Sequence, residues 1–379
     1  MTSPFPDGFL WGASTAAYQI EGAAAEGGRG PSIWDTFAAT PGKVKNGDTG
    51  ETACDHYHRW REDFAIAADL GLKAYRLSVS WSRLQPTGRG DLNPEAVAFY
   101  RELLADLRAK GIRSAVTLYH WDLPQVLEDE GGWPERSTAE CFGDYAARTA
   151  RALGDLVDEW IPINEAWCAA FLGYHAGVHA PGRQDRTAAL RAAHHLNVAH
   201  GLAVAALREH APAGKVGSAV ILTDIEAASD RPEDVEAARL SDGGGNRLFL
   251  DPLFRGAYPE DMLAHFAPTG AFDAVLPGDM ESISAPWTSW ASTTTTGSSW
   301  RPTPRTRTWA TGPCPRRTRS PGSAGRSTPR ACAGSSPACP TSTRACRCTS
   351  PSRARPSRTR WPRTARWTTP TASPTSTVT

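Results

Sequence analysis

An α/β fold with a parallel sheet is predicted by three observations on residues 1–286 of the 379-residue chain. Short runs that are apolar almost without a break alternate with helical patterns, as expected of strands buried on both faces. No glycine-rich phosphate loop follows any early strand. Polar and aromatic residues collect where the strands end: Arg76, His120 with Trp121, and Asn164 with Glu165. The alternation alone fits an open doubly wound sheet or a closed (β/α)8 (TIM) barrel. The other two observations favour the barrel, which carries its chemistry at the carboxyl ends of its strands. About five strands are readable, so the barrel is expected to be incomplete.

In chain order, FLWGAS (Phe9–Ser14) reads as a buried strand. A helix over Asp55–Leu70 places Trp60, Phe64 and Ala67 on one face, and Gly71 stops it. AYRLSVS (Ala74–Ser80) is the next strand. The helix within NPEAVAFYRELLADLRAKG is punctuated at both ends: Asn93 caps it, Pro94 fits its first turn, and Gly111 closes it. Strand Ser114–His120, helix Thr138–Leu156, strand Glu159–Asn164, helix Thr187–His210 and strand Val216–Leu222 follow.

The composition changes at Pro286. Residues 287–379 hold 16 Arg and no Asp or Glu, which leaves 25 Lys and Arg against 40 Asp and Glu in residues 1–286. The later segment also lacks Lys, His, Asn, Gln, Ile, Leu, Phe, Tyr and Met. With so few aliphatic side chains it cannot build a packed core. Residues 287–379 are therefore expected to be a non-native, low-complexity basic tail without order.

The N-terminal MTSPFPDGFLWGAS lacks a basic region followed by an apolar run, and no apolar stretch reaches about 18 residues, so neither a signal peptide nor a membrane span is expected. Cys54, Cys141 and Cys168 show no disulfide or metal spacing, which suits a reducing, cytoplasmic compartment. His56 and His58 fall on different helix faces, His194 and His195 are expected to pack within their helix or face solvent, and Cys346 and Cys348 have no nearby second pair; no metal is expected.

Glu165 is the leading chemical candidate. It ends the strand EWIPIN, beside Asn164 and close to Trp167. A carboxyl group partly desolvated there would have a raised pKa and serve as a general acid. Asn164 suits a sugar hydroxyl, and Trp121 and Trp167 suit the apolar face of a sugar. A plainer reading has the Glu165 carboxylate capping the next helix.

Several segments resemble glycoside hydrolase family 1, the retaining β-glucosidases and β-galactosidases. They are FLWGASTAAYQIEGA, GRGPSIWDTF, DHYHRWREDFAIAADLGLKAYRLSVSWSRLQP, LYHWDLPQVLEDEGGW, INEAW and GDMESISAP, in order and at matching spacing over residues 5–286. The resemblance implies hydrolysis of terminal β-D-glucosyl residues without a cofactor, on β-glucosides or short cello-oligosaccharides. It implies Glu165 as acid/base, Gln19, His120, Trp121 and Asn164 around the sugar, and Arg76 beside the nucleophile. Ala166 departs from the family's usual proline, a change in the stiffness of the turn. The family's nucleophile is a second glutamate, in a Thr-Glu-Asn-Gly type motif on the seventh strand, and retention needs it about 5–5.5 Å from the first. No glutamate follows Glu281. The nucleophile is absent, and the chain is expected to be inactive.

The genetic code suggests why. When codons are begun one base earlier than the frame of Trp287–Thr295, that stretch is compatible with Val-Asp-Phe-Leu-Gly-Ile-Asn-Tyr-Tyr, the continuation the family requires. Trp367–Thr369 likewise allow Val-Asp-Asp, and Pro351–Ser352 allow a Glu codon after a Thr codon. A frameshift near Pro286 follows. Two other classes stay open: a catalytically dead sugar-binding remnant, and a basic tail that binds nucleic acid nonspecifically through its arginines. No specific nucleic-acid or membrane partner is expected.

Overall fold

The computed structural model describes residue 5, residues 8–286 and, as backbone, residues 289–294. The expectation of a disordered tail otherwise lies outside the described residues. Among the described residues six parallel strands form one sheet: β1 (Gly12–Ser14), β2 (Ala74–Ser78), β3 (Arg113–Tyr119), β4 (Glu159–Ile163), β5 (Lys215–Leu222) and β6 (Ser289–Thr294). Their spatial order is their chain order. A doubly wound sheet would reverse direction at a switch point, whereas steady progression is how a (β/α)8 barrel is built. The sheet is an incomplete TIM barrel. Five strands match the readable ones, and β6 begins three residues past Pro286, paired with β5 from Gly217↔Ser289 to Leu222↔Thr294.

The helices form where local signals placed them. Helix His56–Asp69 buries Trp60, Phe64 and Ala67. Helix Pro94–Ala109 starts with the Asn93 side chain accepting the Glu95 N–H at 3.1 Å and buries Ala96, Tyr100, Leu103, Leu104 and Leu107. Each such leucine contributes roughly 1.5–3 kcal/mol of burial. Helix Arg186–His210 is capped by Asp185, which accepts the Ala188 N–H at 3.0 Å. It is buried on most of its circumference, between helix Arg136–Leu153 and helix Asp279–Ile283.

Two expectations need correction. Phe9, Leu10 and Trp11 are exposed, and the three residues of β1 are exposed with them. Among the described strands β1 pairs only with β2, so it is an edge strand. His194 and His195 do not face solvent: both are buried, with His194 Nδ1 3.0 Å from the Tyr258 hydroxyl and Nε2 3.1 Å from Asp279 Oδ2. The region between β5 and β6, unread in the sequence, holds helices Pro232–Asp242, Leu248–Arg255 and Glu260–Phe266.

Candidate active site

The carboxyl ends of β3 and β4 bring His120, Trp121, Asn164 and Glu165 together, and Arg76 joins them from the middle of β2. Register does this: Arg76 stands opposite Ala115, and Tyr119 opposite Ile163, so the residues after β3 and β4 are neighbours. Arg76 donates from Nε to Thr117 Oγ1 at 3.0 Å and from Nη2 to Asn164 Oδ1 at 2.5 Å. Trp121 Nε1 donates to the Asn164 carbonyl at 2.8 Å. With Oδ1 engaged by Arg76, Asn164 Nδ2 is the donor toward His120 Nε2 at 3.3 Å. The His120 proton therefore sits on Nδ1, a tautomer assigned from the bonding pattern. That Nδ1 is buried and has no hydrogen-bond partner among the described residues. Burial, and secondarily the Arg76 charge, push the His120 pKa down to about 3, so the ring stays neutral.

Burial also pulls the Arg76 guanidinium below its ordinary pKa, while the Glu165 carboxylate acts in the opposite sense.

Glu165 and Trp121 both have left-handed backbones, with φ of +47° and +79°. Neither is a glycine, and such a conformation costs of order 1–3 kcal/mol, which concentrates at functional positions. The Glu165 N–H donates to the Ala219 carbonyl at 2.9 Å, and the Glu165 carbonyl accepts the Cys168 N–H at 2.9 Å. Its carboxylate accepts the Cys168 thiol at 3.4 Å and no backbone N–H, so it does not cap the following helix. The plainer reading of Glu165 is set aside on that geometry.

Gln19, on the short helix Ala17–Ile20, lines a cavity of about 410 Å³ together with Tyr18, Trp34, His120, Trp121 and His179. His179 bridges the two indoles, with its ring centroid 5.4 Å from each of Trp34 and Trp121. Sequence reasoning missed Tyr18, Trp34, His179 and Cys168. Trp34 lay in plain view in the segment SIWDTF, but nothing local marks which face of its helix meets the cavity.

The weaker histidines are explained by protein partners: His56 Nδ1 lies 2.6 Å from Asp63, and His58 contacts Asp55 and Glu26. Among the described residues no group of three or more His, Cys, Asp or Glu side chains is placed to hold a metal, and no helix is long and apolar enough to cross a membrane.

The model of glycosyl hydrolase family 1 matches residues 1–305. Beta-glucosidase A of Acetivibrio thermocellus is 45% identical over 282 residues, which cover 74% of this chain and 63% of that protein. Beta-glucosidase A of Thermotoga maritima is 48% identical over 260 residues, covering 68% of this chain and 58% of that protein. Among solved structures, virulence factor SghA of Agrobacterium tumefaciens, in complex with its substrate analog salicin, aligns with a TM-score of 0.74 at 41% identity, covering 76% of this chain and 63% of that one. The chain thus spans about three fifths of the length of these curated relatives.

Proposed function

The chain belongs to glycosyl hydrolase family 1, and on that premise we propose that its site is the acid/base half of a retaining β-glucosidase. Glu165 protonates the departing aglycone oxygen and later takes a proton from the water that releases the sugar. Gln19, Asn164 and the His120 Nδ1–H, which has no partner among the described residues, are hydrogen-bonding groups for the sugar hydroxyls. Trp121 supplies an apolar wall. The substrate is a β-glucoside or a short cello-oligosaccharide. The observation that carries this reading is the Arg76–Asn164–His120–Trp121 hydrogen-bond network, built on Asn164, the residue next to Glu165.

The 379-residue chain itself is inactive in this reading. The reaction needs a second carboxylate to form the glycosyl–enzyme bond, and no Asp or Glu follows Glu281. A frameshift near Pro286 accounts for the loss. A catalytically dead sugar-binding remnant is the second reading, favoured by the cavity that Gln19, His120 and Trp121 already line.

The test uses an aryl β-glucoside with two proteins. The chain as it stands should show no turnover above its Glu165→Gln variant. A gene shifted by one base after the Pro286 codon should yield a chain with turnover, lost again in Glu165→Gln. Turnover by the unshifted chain that Glu165→Gln abolishes would overturn the inactivity. Turnover by the shifted chain that survives Glu165→Gln would overturn the role of Glu165.

A further inference from the structure

Two cavities have walls next to Glu165 in the chain: Trp121, bonded to the Asn164 carbonyl, lines one, and Trp167 lines the other. The first, with Gln19, His120 and Trp121, lies toward β1 and β3. The second, of about 200 Å³, lies at the carboxyl ends of β4 and β5, lined by Trp167, Phe171, Ile221, Thr223, Arg186 and Phe266 among others. Trp167 comes two residues after Glu165, and its ring stacks on Phe171 at 5.8 Å. The second cavity is mainly apolar, yet it contains one guanidinium.

Arg186 is the first residue of helix Arg186–His210. Its guanidinium lies 5.1 Å from the centre of the Phe266 ring. Its Nη2 lies 3.3 Å from His265 Nε2. Arginine has no acceptor, so Arg186 is the donor in that contact. The adjacent carboxylate, Asp185, is turned to the helix cap. Among the described residues Arg186 forms no ion pair with Asp or Glu. Residues 287–379 cannot supply a carboxylate side chain, and Asp7 is the one Asp or Glu outside the described residues. Burial lowers the pKa of Arg186, and no carboxylate offsets it. A partly buried guanidinium without a counter-charge, among aromatic rings, is a receptor for an anionic group on an aromatic body.

We propose that this second cavity takes the leaving group of the substrate and that Arg186 selects aromatic aglycones bearing a carboxylate. The proposal rests on the reading of Glu165 as acid/base. The sugar then occupies the first cavity, the glycosidic oxygen meets Glu165, and the ring lies along Trp167 and Phe171 with its carboxylate on Arg186.

Binding tests this without turnover. Phenyl β-D-glucoside and 4-carboxyphenyl β-D-glucoside are titrated into the full chain and its Arg186→Gln and Arg186→Lys variants, with tryptophan fluorescence as the readout and circular dichroism to confirm the fold. The carboxylated glucoside should bind about tenfold more tightly than the neutral one, the scale of a charge-assisted hydrogen bond. Arg186→Gln should erase that difference, and Arg186→Lys should keep part of it. Equal binding of the two glucosides by the parent chain, or a preference that survives Arg186→Gln, would overturn the proposal. If neither glucoside binds, the glycosidase reading fails, and benzoate alone decides the cavity: binding lost in Arg186→Gln keeps the anion site, and no binding removes it.

Discussion

Replacing Glu21 by Gln should cost about 3 kcal/mol of folding stability, with a cause that is local and traceable. Glu21 follows the short helix that carries Gln19. One carboxylate oxygen accepts Arg83 Nε at 3.0 Å, and the other accepts the Tyr100 hydroxyl at 2.6 Å. The Arg83 side chain has no solvent exposure. It also donates to the carbonyls of Gly22 at 3.1 Å, Ala23 at 3.4 Å and Glu26 at 3.3 Å. One guanidinium thus fastens residues 21–26 to the turn after β2. Gln preserves the shape and one acceptor but leaves the cation buried without a counter-charge. Removing one partner of a buried pair costs about 3–5 kcal/mol, and the retained amide oxygen argues for the lower end. Urea unfolding followed by near-ultraviolet circular dichroism measures it, as a lower midpoint at unchanged slope. A loss below about 1 kcal/mol would refute the reasoning, because it would mean that water already reaches Arg83. The double change Glu21→Leu with Arg83→Met should recover only part of the loss, since the three carbonyls and the Tyr100 hydroxyl each lose a hydrogen bond.

Two further predictions concern the scaffold. Gly201→Ala should lower the thermal midpoint and cost about 1–3 kcal/mol, because the added methyl would collide with the Ser282 backbone of the facing helix. Gly143→Ala, whose methyl would meet only the Leu202 side chain at 3.2 Å, should cost less in the same assay; equal losses would sink the packing argument. Asp122 is buried, and burial raises its pKa to about 7 against the opposing effects of Ser80 and Arg29. The folded state thus holds this proton more tightly than the unfolded state, whose pKa is near 3.8. The parent chain loses stability from this group as pH rises from about 4 to 7. Asp122→Asn does not titrate, so its stability relative to the parent should climb across that window, by up to roughly 4 kcal/mol at pH 8. A difference that does not vary with pH in urea titrations would overturn the assignment.

Much of the scaffold was legible because its signals are local. The apolar runs of β2 to β5, the Asn93 cap and the one-faced pattern of Trp60, Phe64 and Ala67 each need only a few neighbouring residues to be read. The place of Asn164 and Glu165 at a strand end was legible for the same reason. The apolar content of Phe9–Trp11 was equally plain, yet it did not predict burial. Burial there depends on a neighbouring strand that a segment does not encode by itself.

By itself the sequence determined the alternation of strands and helices, the acid/base candidate at the end of β4, and the break at Pro286 beyond which no carboxylate side chain occurs. Only the tertiary structure decided which side chains meet. Arg76 reaches Asn164 across 88 residues of chain, and through that bond the His120 tautomer is settled. His179 joins Trp34 to Trp121, and Arg186 lies in an aromatic cavity that no carboxylate among the described residues lines. Periodicity and capping act within one turn or one strand, whereas these meetings depend on strand register and on what lies opposite, which emerge when distant segments pack.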